Sequence, residues 1–95
     1  MKWMELIKIQ TASSDLDAKL LTLVEQCKEC QGLQEIKVFH HASVDDCSLC
    51  LSWNTESAEP RGSSVGFMLC NTLKQYGLVD HAVWIEKEKN EGKAS

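Results

Sequence analysis

The sequence predicts an α+β domain in which two helices cover one face of a four-stranded antiparallel sheet. Two observations indicate this fold class. Four stretches alternate between two faces as strands do, and two others place apolar residues at helical spacing. Their order, β-α-β-β-α-β, is that of the ferredoxin-like fold. We expect a single domain over residues 1–88 and a polar tail over residues 89–95.

The first half of the chain is predicted to form a strand over residues 4–11 and then a helix. Ser14 is the expected N-cap, and Asp17 lies three residues later, as in a capping box. Gly32 is expected to end the helix in a left-handed conformation. One side of this helix is apolar and consists of Leu16, Leu20, Leu23, Val24 and Cys27.

The second half is predicted to contain a hairpin, a helix and a last strand. Residues 34–42 and 47–54 both alternate, and the short connection between them makes them a hairpin. The loop TESAEPRGSS follows, and Ser63 and Ser64 at its end are suitable N-caps for the second helix. Gly77 is expected to end that helix, and residues 78–86 form the fourth strand.

The sheet face away from the helices is predicted to mix apolar, polar and titratable side chains. Left in water, it would be an exposed apolar patch, so we expect a second copy of the chain to cover it in a homodimer. The residues assigned to this open face are Leu6, Lys8, Phe39, His41, Ser52, Asn54, Ala82 and Trp84.

Charge and composition exclude several kinds of partner. The net charge is −4 and no basic cluster occurs, so a nucleic-acid partner is not expected. No apolar run approaches the roughly 20 residues that cross a bilayer, so no membrane partner is expected. The first ten residues lack the apolar core of a signal peptide, which predicts a cytoplasmic location.

Two C-x2-C pairs raise the question of a zinc site. Cys27 and Cys30 are separated from Cys47 and Cys50 by sixteen residues, a spacing typical of structural zinc. However, Cys47 and Cys50 lie three apart on a strand and must point to opposite faces. We therefore predict buried thiols, no metal and no cofactor, and structural zinc stays an alternative.

A histidine and an amide are the candidate catalytic pair. His40 and His41 are adjacent on a strand, so only one of them faces the open side of the sheet. The predicted register assigns that position to His41, near Asn54 across the hairpin, as a base beside an orienting amide. A surface or interface histidine is the alternative, and a register slip of one residue would exchange His40 for His41.

A ligand cavity is predicted beside this pair. Arg61 belongs to it because a guanidinium in the longest loop is placed to meet an anionic ligand. His81 is a second candidate for acid–base chemistry, and the aromatic residues supply stacking walls. The predicted cavity residues are Phe39, Ser52, Trp53, Arg61, His81 and Trp84.

The segment LSWNTESAEPRGSSVGFMLCNTLKQYGLVDHAVW resembles the dimeric α+β barrel superfamily, in particular the antibiotic-biosynthesis-monooxygenase domain. Those proteins often have a tryptophan at the end of the third strand, then a small residue and an acid, here Trp53, Thr55 and Glu56. The resemblance implies two ferredoxin-like subunits whose sheets pack into a barrel, with a cavity in each subunit.

Members of that superfamily include cofactor-independent oxygenases of polycyclic aromatics, haem-degrading enzymes, isomerases and ligand-sensing domains. The resemblance therefore implies a monooxygenase-like enzyme acting on a small aromatic compound. Fold alone does not choose among these activities. A non-catalytic ligand-binding or assembly module is the first alternative, and a structural zinc protein is the second.

Overall fold

The computed structural model describes residues 1–11 and 15–87, and these form four strands and two helices in the predicted order. The predicted Ser14 cap and the polar tail over residues 89–95 lie outside the described residues. The elements are β1 (Lys2–Thr11), α1 (Leu16–Cys27), β2 (Leu33–His40), β3 (Cys47–Asn54), α2 (Ser64–Leu73) and β4 (Gly77–Ile85).

The four strands form one antiparallel sheet in the order β2-β3-β1-β4. Trp3 at the start of β1 lies opposite Trp53 near the end of β3. Ile7, in the middle of β1, lies between Leu49 of β3 and His81 of β4. The central strands β1 and β3 therefore place every second side chain under the two helices.

The core lies between that face of the sheet and the helices. Burial of the apolar side chains here stabilises the fold, and each fully buried leucine contributes on the order of 2 kcal/mol to the free energy of folding. The buried apolar residues are Trp3, Ile7, Ile9, Leu16, Leu20, Leu23, Cys27, Cys47, Leu49, Leu51, Trp53, Leu69, Cys70 and Leu73.

Helix ends follow the sequence signals in part. Gly32, past the end of α1, has φ +87°, and a Cβ there would lie 2.6 Å from Thr55 Cγ2, so glycine is required. Ser63 is the N-cap of α2, and its Oγ accepts a hydrogen bond of 2.9 Å from the Gly66 amide. Gly77 does not take a left-handed conformation; it is the first residue of β4.

The open face of the sheet carries the residues that alternation assigned to it, with one exception. The register places Leu6 beside Ala82, and Phe39 beside Ser48, on the side away from the helices. Phe39 and Trp84 are about half exposed there. His41 is the exception, because β2 ends at His40. Among the described residues, the helices are too short or too polar to cross a membrane.

Candidate ligand-binding cleft and the buried Glu5 network

Two stacked indole rings form a rigid base at one end of the sheet. The ring centroids of Trp3 and Trp53 are 5.5 Å apart, and the planes differ by 15°. The Trp3 indole N–H donates to Thr55 Oγ1 at 2.8 Å. The Trp53 indole N–H donates to Glu5 Oε1 at 2.9 Å. Both rings are thus held by packing and by one hydrogen bond each.

Above these rings lies a cleft of about 1010 Å³. It is bounded by the loop that follows β3, by the N-terminus of α2 and by the residues after α1. Asn54, Thr55 and Ser63 are polar residues of its lining, and Glu56 and Glu59 supply carboxylates. An apolar base with a few polar groups is the usual composition of a small-molecule site.

Glu5 lies beneath this cleft with none of its surface exposed. Its Oε1 accepts hydrogen bonds from the indole of Trp53 at 2.9 Å and from Ser63 Oγ at 2.5 Å. Its Oε2 lies 3.0 Å from the Ser63 amide and 2.7 Å from His81 Nε2. The carboxylate is thus fully hydrogen-bonded, as a buried acid must be. It also places negative charge at the N-terminus of α2, where the helix dipole favours it.

Two glycines make room for this carboxylate. A Cβ on Gly66 would overlap Glu5 Oε2 and lie 3.1 Å from His81 Nε2. A Cβ on Gly62 would overlap the His81 ring and lie 3.0 Å from Glu5 Oε2, and Gly62 has φ +105°. Both positions therefore require glycine, one for space and the other for space and backbone conformation.

His81 belongs to this network and not to the open face. Its Nε2 is 2.7 Å from Glu5 Oε2, and its side chain is 15% exposed. Phe67 of α2 contacts the ring edge-on, with centroids 5.8 Å apart. The neighbouring Asp80 points to the other face, opposite Lys8. The contact between His81 and Glu5 thus adds a partly buried side-chain link between the paired strands β4 and β1.

Two buried thiols lie near these features: Cys70 is close to Glu5, and Cys27 is the last residue of α1. Burial raises the pKa of the Cys70 thiol; the negative charge of Glu5 raises it further, and Lys74 opposes this. Burial also raises the pKa of the Cys27 thiol, with a smaller contribution from Cys30. These thiols behave as small apolar residues, as predicted.

The predicted pairing of His41 with Asn54 is wrong in this geometry. β2 and β3 are antiparallel, and His40 lies opposite Cys47 at the start of β3, whereas Asn54 is the last residue of β3. Seven residue steps of a strand separate these positions by about 23 Å. The Nδ1 atom of His41 instead accepts hydrogen bonds from the amides of Ser43 and Val44, which shapes the hairpin turn.

The other predicted cavity residues are distributed over separate places. Trp53 and Asn54 line the cleft. Ser52 and Trp84 line a smaller depression of about 400 Å³, which includes residues of the open face. Phe39 lines a groove at the far end of the sheet. Arg61 is exposed and is not among the residues lining the cleft.

The four cysteines of the two C-x2-C pairs do not come together. Cys27 and Cys47 are buried in the core, whereas the Cys50 thiol donates to Met4 Sδ at 3.5 Å on the open face. Strand alternation separates Cys47 from Cys50, as predicted. Within residues 1–11 and 15–87, the group of potential metal ligands that does form consists of Cys47, Asp17 and His40.

Sequence reasoning missed Glu5 and Trp3 as site residues. A signal was present: Glu5 shares its strand face with Trp3, Ile7 and Ile9, so an acid sits in an otherwise apolar series. Such an acid must find partners inside the protein. Its partners come from β3, β4 and the start of α2, and their identity depends on the tertiary arrangement.

Comparison with solved structures finds the same fold at low sequence identity. SnoaB of Streptomyces nogalater, described as a cofactor-independent oxygenase, aligns with a TM-score of 0.73 and 7% identity over 94% of this chain and 96% of that one. Rv0793 of Mycobacterium tuberculosis aligns with a TM-score of 0.71 and 15% identity over 95% and 99%. A candidate antibiotic biosynthesis monooxygenase of Deinococcus radiodurans gives 0.61 and 14% over 94% and 95%.

The chain has the antibiotic-biosynthesis-monooxygenase-like (ABM-like) fold. No protein-family profile matches its sequence, and neither does a characterised protein. At these identities the likeness concerns the ABM-like fold alone, so activity has to be argued from the cleft itself.

Proposed function

We propose that the protein is a homodimeric, monooxygenase-like enzyme that binds a small aromatic molecule in the cleft above Trp3 and Trp53. The cleft carries the proposal, because it joins a rigid aromatic base to hydrogen-bonding groups on its wall. Its volume of about 1010 Å³ suffices for a ligand of several fused rings. Support from outside the chain comes from SnoaB, an ABM-like protein described as a cofactor-independent oxygenase.

In this proposal Asn54 keeps the orienting role that the sequence suggested. Asn54 is the last residue of β3, and although alternation assigns its side chain to the open face, it lines the cleft together with Met1. The Met1 amino group donates to Asn54 Oδ1 at 3.4 Å, which leaves the NH₂ group of the amide to donate to a ligand. The base is no longer His41, which lies at the far end of the sheet. The carboxylates of Glu56 and Glu59 line the cleft and are the groups placed to accept a proton from the ligand.

Oxygenation without a cofactor requires a ligand that supplies its own electrons. Anthrone is a suitable probe, because loss of a methylene proton gives an electron-rich anion that can reduce O₂. The balanced reaction converts anthrone and O₂ into anthraquinone and water. One oxygen atom becomes the new carbonyl, and the other leaves as water with the two methylene hydrogens.

The dimer is proposed from the open face of the sheet. Phe39 and Trp84 are about half exposed there, and Leu6 and Ala82 lie between them across β1 and β4. A second copy related by a two-fold axis would bury both aromatic side chains at once. The two sheets would then face each other, while each cleft stays on the helix side of its own subunit.

A non-catalytic ligand-binding module is the second candidate. The observation that favours it is the composition of the cleft, where the carboxyl groups among its lining residues are those of Glu56 and Glu59, both exposed. Such carboxylates are weak bases unless the ligand itself desolvates them. In this case the cleft binds anthrone-like molecules and releases them unchanged.

The two candidates are separated by incubating the purified protein with anthrone under ¹⁸O₂ and following product by mass spectrometry. Monooxygenase activity gives anthraquinone carrying one ¹⁸O atom, faster than the protein-free control and more slowly in an Asn54→Ala variant. Binding seen by tryptophan fluorescence without product above the control supports the binding module. If anthrone neither binds nor is converted, the proposal is contradicted for aromatic ligands of this kind.

A further inference from the structure

Three side chains of the types that ligate metals lie close together at the end of the sheet opposite the cleft. Asp17 lies in the first turn of α1, His40 is the last residue of β2, and Cys47 is the first residue of β3. One ligand atom of each lies within 4.8 Å of the others. Cys47 is buried, whereas Asp17 and His40 are exposed, so an ion can reach the thiol from solvent between them.

The spacing of the two innermost ligand atoms suits a tetrahedral ion. Cys47 Sγ and His40 Nδ1 are 3.5 Å apart. Zinc bonds of about 2.3 Å to sulfur and about 2.0 Å to nitrogen, at a tetrahedral angle, place those atoms about 3.5 Å apart. The Asp17 carboxylate is exposed, so a rotation of its side chain can bring one of its oxygens within bonding distance of an ion held by Cys47 and His40.

We propose that Asp17, His40 and Cys47 bind one transition-metal ion of the Zn²⁺ type. A thiolate, an imidazole and a carboxylate are a donor set suited to zinc, and also to cobalt as its spectroscopic substitute. Three protein ligands leave a fourth position for water or a small ligand, and on binding the thiol proton leaves to solvent. The ion ties α1 to the β2–β3 hairpin.

Local charge and space favour such an ion. The carboxylates of Asp45 and Asp46, in the hairpin turn directly before Cys47, add negative charge at this end of the sheet and so would attract a cation. His40 and Cys47 also line a groove of about 320 Å³ together with Asp46 and Lys8. The fourth ligand of the ion has room in that groove.

A simple thiol-to-imidazole hydrogen bond is the competing explanation for the 3.5 Å contact. The two explanations differ in the role of Asp17. A hydrogen bond needs only Cys47 and His40 and takes up no ion, whereas a metal site loses affinity when the carboxylate becomes an amide. Asp17 and His40 are both exposed, so substitutions there can be made without disturbing the core.

The test is a titration of the reduced, metal-free protein with Co²⁺, followed by absorption spectroscopy and by competition with Zn²⁺. We expect one Co²⁺ per chain, a thiolate-to-cobalt charge-transfer band in the near ultraviolet and the visible bands of tetrahedral cobalt. Asp17→Asn and His40→Gln should each weaken binding by roughly 100-fold or more, beyond the effect of losing an outer-shell partner. Cys47→Ser should abolish the charge-transfer band.

Two neighbouring positions provide matched controls. His41→Gln alters the adjacent exposed histidine, and Cys50→Ser alters a thiol on the other face of β3; both should bind Co²⁺ as the unmodified protein does. Absence of a charge-transfer band at millimolar Co²⁺ would overturn the proposal. A band that survives in Asp17→Asn with unchanged affinity, or one that is lost in Cys50→Ser, would overturn this set of ligands.

Discussion

The indole N–H of Trp53 donates a hydrogen bond of 2.9 Å to the fully buried carboxylate of Glu5. This contact joins the base of the cleft to the N-terminus of α2, because the same carboxylate also accepts from Ser63. The Glu5 network and the cleft are therefore one structural unit. Changes to Glu5 are expected to affect both stability and ligand binding.

Glu5→Gln should lower the free energy of unfolding by about 2–4 kcal/mol. In glutamine an NH₂ group replaces one of the two carboxylate oxygens. The donors that bind this oxygen in the unmodified protein then face another donor, so hydrogen bonds are lost inside the core. Urea denaturation measures the effect. Glu35→Gln is the matched control, because Glu35 is exposed on β2 and should change stability by less than about 0.5 kcal/mol. Equal stability of the two variants would contradict a structural role for the network.

Gly66→Ala should destabilise the protein by about 1–3 kcal/mol, although alanine favours helix by about 1 kcal/mol. The added Cβ would overlap Glu5 Oε2 and crowd His81, so the carboxylate must move. Thermal and urea unfolding provide the measurement. Ser64→Ala changes an exposed residue of the same helix and should have little effect. A stabilised Gly66→Ala variant would show that the approach of α2 to Glu5 is looser than described.

Asn54→Ala should weaken ligand binding about tenfold, because one hydrogen bond to the ligand is lost, and it should leave stability unchanged. Titration of tryptophan fluorescence with anthrone measures it. His41→Ala and Asn71→Ala are controls, because His41 lies at the far end of the sheet and Asn71 is exposed on α2. An effect of His41→Ala as large as that of Asn54→Ala would restore the pairing inferred from sequence and contradict the cleft.

Stability should fall as the pH rises above about 8.5, the ordinary pKa of a thiol. Burial raises the pKa of Cys27 and Cys70 in the folded protein, so above that pH the unfolded chain loses protons first. The stabilisation is complete below pH 8.5 and is lost as the pH rises through the folded pKa, by at most about 1.4 kcal/mol per pH unit for each thiol. Unfolding of Cys70→Ala between pH 7 and 10 should show a shallower decline; an unchanged slope would contradict this.

Trp84→Glu should convert the proposed dimer into a monomer. The side chain is 58% exposed on the open face, and a charge placed between two apposed sheets would be buried without a partner. Sedimentation velocity measures the change. Leu21→Glu is the control, because Leu21 is exposed on α1, away from the sheet, and should leave the mass unaltered. A monomeric unmodified protein, or a dimeric Trp84→Glu variant, would contradict an interface on this face.

Element order was predictable because each element carries a strong local period. Residues 47–54 alternate without interruption, and the predicted strand matches β3 at both ends. The error at His41 has a local physical cause that the period does not show. The His41 imidazole accepts hydrogen bonds from two amides of the hairpin turn, so the strand ends at His40, two residues before the predicted end at residue 42.

The Glu5 network was only partly predictable. Alternation along β1 places Glu5 under the helices, but its partners Trp53, Ser63 and His81 come from positions 48 to 76 residues away in sequence. Such contacts depend on how the strands and α2 meet. For the same reason, the sequence named Trp53 and Asn54, which line the cleft, but grouped them with residues that lie elsewhere on the sheet.

The most direct test of the central claim, that the cleft binds a small aromatic molecule, is an NMR titration of the three indole N–H signals with anthrone. Trp3 and Trp53 form the base of the cleft, whereas Trp84 lies on the open face, and Trp84→Phe assigns its signal. We predict that the signals of Trp3 and Trp53 shift with saturation and that the signal of Trp84 stays in place. A shift of Trp84 alone, or no shift of any indole, would contradict the account.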